Sequence, residues 1–124
     1  MAAADVVMAF LDAMGRRDLD AAEALLAPGF KMVVSGGHAF RSPREFVAHS
    51  KGRQRSARKT TDRYEEIPTP GGDVVYAIGS MAGEWNDGSA YAGVRYIDRF
   101  EVRDGKIADM QVWSDMAEFR PREG

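Results

Sequence analysis

Hydrophobic positions change their spacing about halfway along the chain. Over residues 3–26 they recur every three or four positions. Val6, Val7, Phe10, Leu11 and Met14 make one helical stripe, and Gly15 stands where that helix should end. Asp18 is placed to cap a second helix carrying Leu19, Ala22, Leu25 and Leu26, which Pro28-Gly29 should stop. FKMVV then reads as a short strand with Phe30, Met32 and Val34 on one face. SPRE, residues 42–45, starts a third helix: Ser42 caps it, Pro43 takes the first helical position, and Glu45 completes a capping box. Gly52 marks its end. From about residue 56 the period shortens to two, and four strands follow in SARKTTDRYEEI, DVVYAIGSMAGEW, SAYAGVRYIDRFEVR and KIADMQVW. Asp73, Asn86-Asp87-Gly88 and Asp104-Gly105 supply the turns. Helices first and long antiparallel strands afterwards predict an α+β domain, with three N-terminal helices covering one face of a curved sheet.

Alternation along the third of these strands sorts its residues into two sets. Val94, Tyr96, Asp98, Phe100 and Val102 share the apolar face; Arg95, Ile97, Arg99, Glu101 and Arg103 share the other. One carboxylate thus sits among core residues. Burial there disfavours the anion, so Asp98 is a candidate acid, hydrogen-bond donor or base. His38 follows Gly36-Gly37, and an imidazole at that place is a candidate general base. His49 is expected on the solvent side of the third helix. Two histidines so far apart, with no ligand spacing around them, give no metal site. Tyr76, Trp85, Tyr91, Tyr96 and Trp113 can each offer a ring to a cavity and a polar edge to orient its occupant. Met14, Met32, Met81 and Met110 can add an adaptable apolar wall.

Composition narrows the classes. A chain of 124 residues suits one domain, spanning 1–124. It contains no cysteine, so thiol nucleophiles, disulfides and thiolate metal sites are excluded. There is no GxGxxG and no phosphate-cradling loop, so no cofactor is expected. No apolar run is long enough to cross a membrane, and the start lacks the basic residues of a secretory signal; the cytoplasm is the expected location, with no membrane partner. Charge is uneven. Residues 31–63 hold nine Lys or Arg against Glu45 and Asp62, a local +7 in a chain of net −2. Only Phe46 within the basic stretch 41–63 and Tyr64 just after it supply rings, too few for stacking on bases, so the segment is expected to be a solvated helix end and edge strand rather than a nucleic-acid surface.

The order of elements, together with FEVRDGKI and the Trp113 that follows, resembles the nuclear transport factor two-like superfamily, which includes ketosteroid isomerase, limonene epoxide hydrolase and small SnoaL-like polyketide cyclases. The resemblance runs from Ala3 to about Phe119. It implies a cone-shaped, mostly antiparallel sheet (a cystatin-like α+β roll) around a deep apolar pocket for a small hydrophobic molecule, and a homodimer through the outer sheet face. YIDRFEVRDGKIADMQVWSD is similar to the last hairpin of ketosteroid isomerase, and Asp98 falls on that enzyme's protonated oxyanion-hole aspartate. Phe10 stands where the family has a catalytic tyrosine, and Val34 lies near the place of its proton-shuttling aspartate. Val112 occupies the position of an aspartate in the epoxide hydrolases, and Arg95 is a poor stand-in for their arginine. The resemblance therefore implies the shape and not identical chemistry. The expected pocket is lined by Tyr96, Trp113, Phe10, Met14, Met32, Val34, Phe100 and Val112, with Asp98 and His38 as its catalytic pair. A cofactor-free isomerase, cyclase or dehydratase working by proton transfer fits, and so does a non-catalytic binding protein of the same shape.

Overall fold

The structure is a computed structural model that describes residues 2–121. Three helices, α1 (Ala3–Gly15), α2 (Leu19–Glu23) and α3 (Pro43–Lys51), accompany six strands. These are β1 (Leu26–Val33), β2 (Ala39–Phe40), β3 (Gln54–Thr69), β4 (Gly72–Trp85), β5 (Ala90–Arg103) and β6 (Lys106–Ser114). A 3₁₀ turn at Met116–Phe119 follows. All six strands join one sheet in the order β2-β1-β6-β5-β4-β3. Every neighbouring pair is antiparallel except β1 and β6, which run parallel. The result is an α+β fold with a curved, mostly antiparallel sheet packed against its N-terminal helices. No described helix is long and apolar enough to cross a membrane.

Local chemistry accounts for most boundaries. The Ser42 hydroxyl accepts a hydrogen bond from the Glu45 amide at 3.2 Å, while the Glu45 carboxylate reaches back one residue further than a standard capping box, to the Arg41 amide at 2.9 Å. Asp18 caps α2 by accepting from the Ala21 amide. Asp104 and Gly105 both take positive φ, 50° and 73°, the geometry a two-residue hairpin needs to match strand twist. Two expectations change. The second helix stops at Glu23, and Leu26 already belongs to β1, paired with Ile107. Pro28-Gly29 lies inside that strand, where the register slips between Leu26 and Lys31; the pair makes an irregularity that spares proline a ladder bond, and it does not end an element. Strand β2, too short to show a period, pairs Ala39 and Phe40 with Val33 and Met32.

One core joins the sheet to α1. Val6, Val7 and Phe10 are fully buried against Val75, Val94, Phe100 and Ile107. Phe10 meets Phe100 edge-on, with ring centres 6.0 Å apart, and Phe30 at 6.4 Å. Burying such a ring stabilises the fold by about 1.5–3 kcal/mol, so α1 is held by packing and not by propensity alone.

Candidate functional site

The inner face of β5 presents Val94, Tyr96, Asp98 and Phe100 in alternation, all buried. Asp98 is 0% exposed and is the one charged side chain in the core of the described residues. Its partner comes from two strands away. Lys59 of β3 places its ammonium 2.6 Å from Asp98 Oδ2 and 4.7 Å from the centre of the Tyr96 ring. Thr61, the next inward residue of β3, shares a 2.5 Å hydrogen bond with the Tyr96 hydroxyl.

Small residues on the intervening strand make this reach possible. Gly79 of β4 pairs with both Thr61 and Tyr96, and Ala77 pairs with Asp98. With a methyl or nothing between them, side chains of β3 and β5 meet over β4. A Cβ at Gly79 would also lie 1.9 Å from the Thr60 carbonyl oxygen, so the backbone requires glycine there.

The electrostatics follow from burial. Desolvation raises the Asp98 carboxyl above its ordinary range, and Lys59 pulls it partly back. Asp98 Oδ1 is buried with no hydrogen-bond partner among the described residues, so that oxygen can hold a proton. Tyr96 is pushed up to about 12, chiefly by its own burial, and stays a neutral phenol.

In front of this cluster lies a cavity of about 570 Å³. Lys59 and Thr61 line it; Asp98 does not, and stands behind Lys59. Phe10, Met14, Met32, Val34 and Val112, expected to meet a ligand, line the cavity, as does His38. Tyr96 and Phe100 belong to the core behind it. Trp113 does not belong to it: the side chain is 52% exposed on the outer sheet face, opposite Ile97. Val112 and Trp113 are successive strand residues, so they cannot share a face.

His49, expected to face solvent, also corrects. It lines the cavity, with its ring 5.9 Å from that of His38 and 5.2 Å from Phe40. Its pKa is lowered, first by burial and then by Arg53, His38 and Arg120. Lys59 was legible only as part of a basic run. Alternation in ARKTT puts Ala57, Lys59 and Thr61 on one face, but nothing local says that a carboxylate waits beneath it. Trp85 and six methionines (Met8, Met14, Met32, Met81, Met110 and Met116) complete much of the apolar lining. Among the described residues no group of His, Asp and Glu is arranged to hold a metal ion.

The sequence profile of the SnoaL-like domain matches residues 7–110. Among curated proteins none matches. Among solved structures, an NTF2-like protein of unknown function from Burkholderia pseudomallei is 19% identical, with a TM-score of 0.76 over 92% of this chain and 91% of its own. A proposed polyketide cyclase from Pseudomonas putida is 19% identical, with a TM-score of 0.75 over 97% and 96%. TerC, co-crystallised with polyporic acid, is 18% identical, with a TM-score of 0.77 over 93% and 92%. At these identities the likeness is one of fold.

Proposed function

The chain belongs to the SnoaL-like domain family, and from that premise we propose that it takes a small, largely apolar molecule into the cavity and moves a proton on it without a cofactor. The observation that carries this reading is the ion pair in the cavity wall, Lys59 on the fully buried Asp98. Isomerisation, dehydration and aldol-type cyclisation each pass through a developing oxyanion beside a carbon that gains or loses a proton. A fixed ammonium stabilises such an oxyanion without reorganising. Lys59 is then the group that meets the substrate oxygen, and Asp98 positions it. His38 is the general base, with His49 beside it. Tyr96, through its ring and its bond to Thr61, holds the ammonium in place. The polyporic acid of TerC and the cyclase assignment of the Pseudomonas protein support an occupant of aromatic or polyketide size.

One observation favours binding without turnover. The only carboxylate among the described residues lining the cavity is Asp12, and Arg16 engages it at 2.9 Å, so no free carboxylate base is at hand. A screen of small ketones, enones and epoxides, run on the natural sequence beside His38→Ala and Asp98→Asn, separates the two. Proton transfer predicts turnover that His38→Ala abolishes. Saturable binding with no product for any compound would establish the binding-protein reading.

We further propose a homodimer through the outer sheet face. Ile78, Ile97 and Trp113 lie directly across from one another on β4, β5 and β6, an apolar stripe flanked by Arg95, Arg99 and Glu101. Exposed apolar area of this kind with a charged rim suits a self-complementary twofold contact.

A further inference from the structure

The charge around the cavity is the reverse of the charge of the chain. The protein is acidic overall, at net −2. Yet Arg16, Arg17, Arg53, Arg58, Lys59 and Arg120 all line this one cavity, against Asp12 as its only lining carboxylate among the described residues. Two of these cations are already neutralised, Arg16 by Asp12 and Lys59 by Asp98. Arg17, Arg53 and Arg58 form no ion pair with a carboxylate among the described residues, and all three are exposed at the cavity's edge. The other exposed arginines of β3, Arg55 and Arg63, are paired with Glu84 and Glu65, so unpaired arginine is not simply the habit of this strand.

The floor is different. Phe10, Met32, Met81 and Met110 are buried and carry no polar group. Methionine side chains adapt to an irregular apolar surface at small cost. A cavity with an uncharged, deformable floor and three guanidinium groups at its mouth that lack a carboxylate partner among the described residues, Arg17 donating only to the Met14 carbonyl, has two ends with opposite chemistry. An anion at the mouth would relieve the repulsion among those arginines, and guanidinium matches a planar carboxylate through two parallel hydrogen bonds. His49 stands at this end too, its pKa lowered first by burial and then by Arg53, His38 and Arg120.

We propose that the occupant is an amphiphilic organic anion: an apolar, ring-bearing body seated on the methionine floor, with a carboxylate held at the mouth by Arg17, Arg53 and Arg58. This rests on the reading of the cavity as a ligand site and adds the substrate class. The neutral apolar molecule expected from the fold lacks the headgroup these arginines are placed to meet.

Matched probes test it. The protein is titrated with 2-naphthoate, its methyl ester and 2-naphthylmethylammonium, and with the corresponding biphenyl series, by calorimetry and by quenching of Trp85, which lines the cavity. The carboxylates should bind about tenfold or more tighter than the esters, and the ammonium compounds weakest. That preference should shrink severalfold between roughly 0.02 M and 0.5 M salt. Arg53→Glu with Arg58→Glu, both at exposed positions, should erase the preference, with carboxylate affinity falling to that of the ester on the same variant. Esters that bind as tightly as carboxylates would overturn the anion proposal and leave the pocket reading standing. No binding of any probe would overturn both. A carboxylate preference that survives the double substitution would overturn the assignment of the headgroup to the mouth.

Discussion

Ile97 and Asp98 are neighbours on β5, and each breaks the usual rule of its side of the sheet. The inner face, which should be apolar, holds a buried carboxylate with its lysine. The outer face, which should be polar, holds Ile97 at 42% exposure across from Trp113 at 52%. Ordinary folding requires neither. Burying an ion pair gains little over apolar packing of the same shape, and an exposed apolar stripe gains nothing in a lone molecule. The two exceptions fit the two proposals made above, the inner one chemistry in the cavity and the outer one contact with a second copy. Each can be tested by what its removal costs.

The largest effect should come from splitting the inner pair. Lys59→Met strands a carboxylate in the core and should destabilise the protein by about 3–5 kcal/mol near pH 7, read from urea denaturation. Lys59→Met with Asp98→Leu should recover most of that loss. A double variant no more stable than the single one would mean that the pair itself sustains the fold.

Asp98→Asn keeps the shape and removes the charge. If Asp98 positions an oxyanion donor, turnover on any substrate found should fall roughly 10²-fold, about 2.7 kcal/mol in the barrier, with the fold retained. The pH dependence has a definite sign. The folded-state pKa of Asp98 is raised, so its contribution to stability is complete below the ordinary value of 3.8 and is lost as pH rises through the folded value. The stability of the natural sequence relative to Asp98→Asn should therefore decline over that window. Carbon-detected NMR of the Asp98 carboxyl locates its upper edge, and a midpoint at or below 3.8 would contradict the burial argument.

On the outer face the effect should be on assembly. Trp113→Glu should turn the proposed dimer into monomers by light scattering and change monomer stability by no more than about 0.5 kcal/mol. A natural sequence that is already monomeric at micromolar concentration would remove the reason for the stripe. The smallest effect is a null one. Short oligonucleotides should not bind appreciably at about 0.15 M salt, because the basic segment offers few rings for stacking.

The sequence made the two faces of β5 legible, because alternation is local: Tyr96, Asp98 and Phe100 fall inward and Ile97 and Arg99 outward as their parity requires. The same rule, applied to β6, separates Val112 from Trp113. The capped start of α3 and the Asp104-Gly105 turn were readable for the same reason, as each is decided within four residues. Lys59 was not readable as a partner of Asp98. The contact spans 39 residues and depends on Gly79 and Ala77 being small on the strand between, a condition visible only once register is known. His49 was misplaced because a nine-residue helix with Phe46 and Val47 inward leaves the orientation of its last turn to tertiary packing. The break expected at Pro28-Gly29 failed for a similar cause: Leu26 finds a partner in Ile107, and pairing outweighs a local stop signal.

The methionines carry a practical consequence. All six methionines among the described residues line the cavity. A protein grown on methyl-labelled methionine would carry six probes around the cavity, arranged to report whatever enters. The same placement exposes the cavity to peroxide. Conversion of these thioethers to sulfoxides would turn an oily floor into a polar one while leaving the valines and aromatics of the core untouched.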